Sequence, residues 1–314
     1  AIGALTPEEQ QRDGPLNHGR KYLWPGPTDR AGLGDVRLVG RPAAGIAGVA
    51  VRPSYRRRLL EVEVELDQPV PVGGRLRNAV YFEGREVLRL PETPCSEATN
   101  KVVVRQAWPE PILWGLRAPN LLRLETELLD GAGKRVDLVR TRFGFRELWP
   151  EGRRLMLNGV PVNFRAYAMN SDWGWTERMQ LADIRRRVRE GQAALGMMER
   201  HIYGWHNHYD VADEEGMPVV AGITGEAGPS QFKLESEELW RNTESLARRA
   251  VRAYRNHPCI VEWYISNEYS ECAPDAELAT RRLAALAAAV RAEDPTRIVE
   301  AGCDLDLRGT LDIV

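Results

Sequence analysis

Between residues 46 and 145 the apolar and polar positions follow the two-residue period of β-strands. Leu60 to Leu66 alternates strictly between apolar and acidic side chains, which predicts a strand with one buried face and one face in water. Further strands are predicted at residues 101–105, 121–129 and 135–142. The sequence Asp130-Gly131-Ala132-Gly133 has the backbone freedom for a hairpin between the last two. Short strands between Pro- and Gly-rich turns favour a small antiparallel sandwich of the immunoglobulin type.

From about residue 153 the pattern changes to strands that alternate with helices. Strands are predicted at residues 160–167, 197–203, 217–221, 259–265 and 297–301, with the first half of a sixth at 311–314. The helices between them show apolar residues at helical spacing, for example Leu239, Leu246, Ala250 and Ala253 on one predicted face. Such alternation predicts the parallel strands of a (β/α)8 TIM barrel. Because these strands cannot close a barrel of eight, we expect it to be truncated after about strand 5–6.

The bulk composition excludes some classes of partner. The 314 residues carry a net charge of −2 with basic and acidic side chains interspersed, so neither nucleic acid nor a membrane surface is expected as a partner. No apolar run approaches the roughly 18 residues of a membrane span. The four cysteines form no Cys-x-x-Cys pair, which argues against a disulfide scaffold or a thiolate zinc site. The first residue is Ala and not Met, which leaves room for a leader or a domain upstream.

The strand predicted at residues 259–265 is followed by an amide and a carboxyl, Asn267 and Glu268. Its sequence, Cys-Ile-Val-Glu-Trp-Tyr-Ile, has the β-branched and aromatic content of a strand that is buried on both faces. Barrels carry their chemistry at the carboxyl-terminal ends of the strands, so Glu268 is a candidate catalytic residue. The alternatives are a surface carboxylate without a role, or a pair that caps the loop after the strand.

Several short segments, in chain order, resemble the motifs of one known family. They are Leu-Gly-Asp-Val at 33–36, Arg-Phe-Gly-Phe-Arg-Glu at 142–147, Leu-Asn-Gly-Val-Pro-Val at 157–162, Phe-Arg-Ala at 164–166, Asp-Glu-Glu-Gly-Met at 213–217, Asn-His-Pro at 256–258, Trp-Tyr-Ile-Ser-Asn-Glu at 263–268 and Asp-Pro-Thr-Arg at 294–297. As an ordered series they resemble family 2 glycoside hydrolases, the group of β-galactosidases, β-glucuronidases and β-mannosidases. The likeness covers nearly the whole chain.

The resemblance implies a division of the chain into three parts. Residues 1–43 are similar to the C-terminal remnant of a jelly-roll sugar-binding domain, 44–146 to an immunoglobulin-like β-sandwich, and 147–314 to the N-terminal part of a (β/α)8 catalytic barrel. It also implies a retaining β-glycosidase in which Glu268 is the general acid/base and Asn267 binds the sugar 2-hydroxyl. The family's nucleophile is a second Glu at the end of strand seven, expected beyond Val314. We therefore expect the 314 residues alone to be inactive.

Further candidate residues follow from their positions in the predicted barrel. Five aromatic side chains come after the first two barrel strands and are predicted to contact a sugar or to pack beneath it: Trp173, Trp175, Trp205, His206 and His208. Arg165 is predicted to hold Glu268 or a neighbouring carboxylate. The alternatives are ordinary packing for each tryptophan, a structural salt bridge for Arg165, and a metal site built from His201, His206 and His208.

No cofactor is expected, and no metal site is expected because the chain departs from the family's metal-binding sequence. Members of its galactosidase branch have magnesium ligands after strand three, where this chain has Ala-Gly-Ile-Thr-Gly-Glu at 221–226. A carbohydrate substrate is the expected partner. The alternative function is a non-catalytic carbohydrate-binding or scaffold protein on the same fold, against which the presence of Asn267 and Glu268 argues.

Overall fold

A computed structural model describes most of the chain after residue 43. The described residues are 40, 42, 44–67, 70, 72–95, 100–165, 167–168, 181–195, 199–201, 206–223, 237–267, 275–302 and 309–312. Within them lie sixteen β-strands and four α-helices. The jelly-roll remnant predicted at 1–43 lies outside these ranges, apart from residues 40 and 42.

The first eight strands form an antiparallel sandwich. They are β1 (Ile46–Ser54), β2 (Leu59–Leu66), β3 (Arg75–Phe82), β4 (Arg85–Arg89), β5 (Thr93–Pro94), β6 (Lys101–Ala107), β7 (Leu122–Leu129) and β8 (Arg135–Phe143). One sheet has the order β1-β2-β6 and the other β4-β3-β7-β8, with β5 beside β3. Leu60, Val62 and Val64 of β2 lie in one apolar core with Leu76 and Leu124 of the second sheet. The immunoglobulin-like sandwich expected from the strand pattern is therefore confirmed.

The outer face of β2 differs from the expectation at one position. Alternation predicts that Glu63 faces water, yet its exposed fraction is 5%. Arg52 and Lys101 pair with the Glu63 carboxylate at 3.0 and 2.9 Å, and Arg255 from the second half of the chain lies 4.0 Å away. These cations hold the pKa of Glu63 below its usual range although burial acts to raise it. The second half of the chain packs over this face of the sheet, which local periodicity cannot predict.

A small antiparallel sheet connects the sandwich to the barrel, and here the predicted strand at 160–167 is wrong. The sheet consists of β9 (Leu148–Glu151), β10 (Arg154–Leu157) and β11 (Val160–Val162), in the order β11-β10-β9. Asn158 and Gly159 have φ angles of 51° and 82°, which make a two-residue hairpin turn. Val160 therefore pairs back onto Leu157 and does not begin the barrel.

Five parallel strands follow, in consecutive order. They are β12 (Tyr167–Ala168), β13 (Glu199–His201), β14 (Val219–Gly222), β15 (Ile260–Asn267) and β16 (Ile298–Gly302). The helices between them are α1 (Leu181–Leu195), α2 (His206–Glu215), α3 (Glu237–Tyr254) and α4 (Ala276–Glu293). This is the order of the first five units of a TIM barrel. The predicted sixth strand is not formed at residues 311 and 312, where Asp312 instead donates its backbone N–H to Val299 O.

The buried face of α3 is rotated from the predicted one. Leu246 has an exposed fraction of 46%, while Trp240, Ala247 and Val251 lie in the barrel core. The leucine spacing predicts a face that contains Leu239, whereas the buried face contains Trp240, the next residue in the sequence. In the part of the chain that the structure describes, no helix has both the length and the apolar character of a membrane span.

Polar and apolar contacts join the sandwich directly to the barrel. The Asn256 amide accepts from Val51 N at 2.9 Å and donates to Val49 O at 2.8 Å, so it continues the hydrogen bonding of edge strand β1. A Cβ atom added at Gly144 would lie 2.6 Å from Trp114 Cβ and 2.7 Å from Pro258 Cβ. Only a glycine permits such a close approach without rearrangement. The two parts of the chain therefore share one interface close to the start of β15.

Candidate active site

Asn267, the first residue of the strongest candidate pair, lies at the carboxyl end of β15. This strand pairs in parallel with β14 and with β16, and Asn267 is its last residue, in register with Gly302. Glu268 follows directly in the chain and lies outside the described residues. Because the five barrel strands run in parallel, their carboxyl ends meet at one edge of the sheet. The backbone thus places Asn267 at the edge where barrels carry their chemistry.

The other predicted site residues fall in different places. Trp173, Trp175 and Trp205 lie outside the described residues, as do the side chains of Asn267 and His206. His206 begins α2, and His208 in the same helix has an exposed fraction of 1%. Arg165 is exposed and precedes β12, so it lies at the amino-terminal end of that strand, opposite to the edge with Asn267. The roles of these residues stay predictions.

The side chains of β15 divide between two faces. Trp263 and Ile265 lie in the core that the barrel strands share with their helices, and Trp263 Nε1 donates to Asp294 Oδ2 at 2.9 Å. Strand alternation places Glu262 and Tyr264 on the opposite face, toward the barrel interior. Both are buried. The interior beneath the carboxyl edge is therefore lined with groups that can ionise or donate hydrogen bonds.

A carboxyl pair in this interior, with Glu262 buried and Glu300 half-buried, was missed by the sequence interpretation. Glu262 on β15 is 1% exposed and interacts with Glu300 on the neighbouring strand β16. Burial, and then the hydrogen bond and charge of Glu300, raise the pKa of Glu262 to about 9. The pair therefore retains a proton at neutral pH. The available signal was a single Glu inside the otherwise apolar run at 259–265.

We expect Glu262→Gln to flatten the pH dependence of stability. Folding raises the pKa of Glu262 from 4.5 to about 9. The protonated carboxyl therefore contributes its full stabilisation below about pH 4.5, and this contribution to the free energy of unfolding is lost as pH rises toward 9. The wild-type protein should lose about 1.4 kcal/mol per pH unit from this group across that window. Urea midpoints at pH 5 and pH 8 should therefore diverge less in the variant. Glu277→Gln, at an exposed position of α4, is the matched control. Identical pH profiles of stability for Glu262→Gln and wild type would contradict the raised pKa of Glu262.

One group of described residues has metal-binding side chains close together. The ligand atoms of Asp213, His257 and Cys259 lie within 4.8 Å of one another. Both carboxylate oxygens already have partners, since Oδ1 accepts from Cys259 N at 2.9 Å and Oδ2 lies 2.7 Å from His257 Nδ1. Burial raises the pKa of the Cys259 thiol well above its usual range. The group is better explained as a hydrogen-bonded junction at the amino-terminal end of β15.

The arrangement defines a class of protein: an antiparallel sandwich that leads into parallel β/α units, with Asn267 where one strand ends. Two sequence models match, one described as "Glycosyl hydrolases family 2" over residues 46–146 and one as "Glycosyl hydrolases family 2, TIM barrel domain" over residues 201–310. The chain belongs to glycoside hydrolase family 2.

Individual relatives support the same assignment. The chain is 26% identical over 260 residues to a β-galactosidase of Enterobacter cloacae. The matched region covers 74% of this chain and 24% of that β-galactosidase. The β-glucuronidase of Bifidobacterium dentium complexed with coumarin-3-O-glucuronide has a similar fold, with a TM-score of 0.69, 21% identity, and coverage of 83% of this chain and 44% of that one. A β-glucuronidase of Bacteroides uniformis gives a TM-score of 0.66 at 20% identity, covering 83% and 34%.

These relatives are much longer than the chain. It spans 19%, 24% and 16% of three curated relatives that it matches. The solved structures are less than 25% identical, so they show a shared fold. Activity and substrate therefore have to be argued from the residues at the site.

Proposed function

We propose that the native protein is a retaining β-glycosidase that hydrolyses a terminal β-linked sugar, a β-galactoside, β-glucuronide or β-mannoside. The observation that carries the proposal is that β15 ends at Asn267, at the carboxyl edge of a family 2 barrel sheet, and that Glu268 is the next residue in the sequence. Glu268 protonates the departing glycosidic oxygen and later takes a proton from the attacking water. Asn267 donates to the sugar 2-hydroxyl.

A second carboxylate is needed for this mechanism. In a retaining enzyme the two carboxyl groups lie about 5–5.5 Å apart on either side of the scissile bond. We propose that the nucleophile is a Glu of a later barrel strand, beyond Val314. Glu262 is not suited to the role, because its raised pKa keeps it protonated at neutral pH and because it lies five residues before the carboxyl end of β15.

The stereochemistry of the product tests the proposal. The native gene product is incubated with aryl β-galactoside, β-glucuronide and β-mannoside, and the first-formed sugar is observed by proton NMR before it mutarotates. We expect one of these substrates to give the β-anomer, because double displacement retains the configuration. Residues 1–314 alone serve as the comparison and are expected to be inactive. Release of the α-anomer, or equal activity of the two proteins, would contradict the proposal.

A further inference from the structure

Two arginines bind the backbone carbonyls that lead into β15. Arg146 Nε donates to Pro258 O at 2.8 Å, and Arg146 Nη2 donates to Ile260 O. Arg297 Nε donates to the same Ile260 oxygen at 3.1 Å, and Arg297 Nη2 donates to His257 O at 3.0 Å. Guanidinium groups hold several acceptors in fixed directions, because their donors are coplanar and rigid. The entry to β15 is therefore bound from two sides.

The remaining polar groups of this entry segment are also paired. Cys259 N donates to Asp213 Oδ1 at 2.9 Å, and Cys259 O accepts from Val219 N of β14 at 2.7 Å. His257 N donates to Tyr254 O at 2.9 Å. With the arginine contacts, the segment is attached to α2, β14, the end of α3 and the start of β16. Such a segment has little freedom to shift along the strand direction.

Arg146 is the member of this set that comes from the sandwich side. It lies three residues after β8 and has an exposed fraction of 4%. Burial, together with the neighbouring Arg297, lowers the pKa of Arg146 to about 9. Burying a guanidinium against carbonyl oxygens costs free energy that an apolar side chain in its place would not. Arg146 therefore contributes to the fold through its hydrogen bonds to Pro258 O and Ile260 O, which offset the cost of burying its charge.

The position of the entry segment is transmitted along β15. The strand runs from Ile260 to Asn267 without a break, although its register to β16 shifts between Tyr264 and Asn267. Strand residues rise about 3.3 Å each, so Asn267 lies roughly 23 Å from Ile260 along the strand. Displacement at the start of the strand moves its carboxyl end as well. A misplacement of about 1 Å can cost on the order of a hundredfold in rate.

We propose that Arg146 is a positioning residue for the reaction: by holding the Pro258 and Ile260 carbonyls, it sets the height of β15 and so the placement of Asn267 and Glu268. The inference rests on the proposed function of Glu268. A positioning role for Arg146 would make the sandwich part of the catalytic apparatus. Arg146 lies three residues after the last sandwich strand and binds Ile260, which is 114 positions further along the chain.

Arg146→Met in the native gene product tests the proposal. Methionine keeps most of the apolar side chain and removes every donor, while Arg146→Lys keeps the charge and part of the donor set. The measurement is kcat and KM for two aryl β-glycosides with the same sugar and different leaving groups. A displaced acid harms mainly the substrate whose leaving group needs a proton. We expect Arg146→Met to lose roughly tenfold more kcat/KM on the poor leaving group than on the good one, with Arg146→Lys intermediate.

Leu124→Ala provides the matched control. Leu124 is fully buried in the sandwich core on β7, so its truncation lowers stability without touching β15. We expect this variant to lose activity equally on both substrates. Hydrogen exchange supplies a second readout: amides of residues 260–267 should exchange faster in Arg146→Met and keep their rates in Leu124→Ala.

The outcomes separate the two proposals. Equal losses on both substrates in Arg146→Met overturn the positioning role, provided that Glu268→Ala is selective for the poor leaving group in the same assay. If Glu268→Ala is not selective either, the proposed function itself fails. Should Arg146→Met not fold, Arg146→Lys carries the same comparison, and unchanged exchange over residues 260–267 then overturns the inference.

Discussion

Glu268→Ala is expected to slow hydrolysis of glycosides with poor leaving groups by about 10²–10⁴-fold. Activated aryl glycosides should lose far less in the step that forms the glycosyl-enzyme, because their leaving groups depart without a proton. Added azide should partly restore turnover of activated substrates, since a small anion can enter the space left by the carboxylate and attack the intermediate without general-base help. The measurements, made on the native gene product, are kcat/KM across a series of leaving groups and kcat on activated substrates with and without azide.

Glu190→Ala is a suitable control for this experiment. Glu190 is exposed in the second half of α1, where it pairs with Arg186, and barrel helices run away from the carboxyl edge, so its removal changes the protein charge by the same amount at a distance from that edge. We expect its leaving-group dependence to match that of the wild type. Equal losses on all substrates in Glu268→Ala, with no effect of azide, would remove Glu268 from the acid/base role.

Trp114→Ala should destabilise the chain by roughly 3–5 kcal/mol. Trp114 belongs to the sandwich part of the sequence, yet it is fully buried within the barrel core together with Tyr209 and Met217. Its backbone N–H donates to Phe145 O, and its Nε1 donates to Asp213 O at 2.8 Å. Truncation leaves a large cavity at the interface and an unpaired carbonyl. The measurement is the unfolding free energy from urea titration.

Trp114→Phe separates packing from hydrogen bonding at this position. Phenylalanine keeps most of the buried ring and removes the donor to Asp213 O, so a loss of about 1–2 kcal/mol is expected. Both variants should shift the unfolding transitions of the sandwich and of the barrel to lower urea concentration together, because Trp114 packs against both parts of the chain. Equal effects of Ala and Phe would mean that the ring does not fill the interface as the structure shows.

Local patterns predicted most of the regular elements. The alternation from Leu60 to Leu66 became β2, and the turn at 130–133 became a hairpin in which Asp130 Oδ1 accepts from Ala132 N and Lys134 N. The parallel strands β13 to β16 were also found, because burial period and chain order are local properties. The roles of Asn267 and Glu268 stay predictions. The strand predicted at 160–167 failed, since the turn at Asn158 and Gly159 was overlooked.

The contacts that decide how the site is held have no local signal. Asn256 binds β1 from 207 positions away, and Arg146 reaches Ile260 across 114 positions. The Glu262 carboxyl keeps its proton because distant segments bury it and because Glu300 lies beside it on the next strand, and both raise its pKa. Side-chain period shows which residues are buried, but the partner of a buried polar group depends on how distant segments meet. The sequence by itself therefore determined the sandwich, four of the barrel strands and the choice of candidate residues. Only the tertiary structure decided where the first barrel strand lies and which contacts hold β15, because both depend on how distant segments meet.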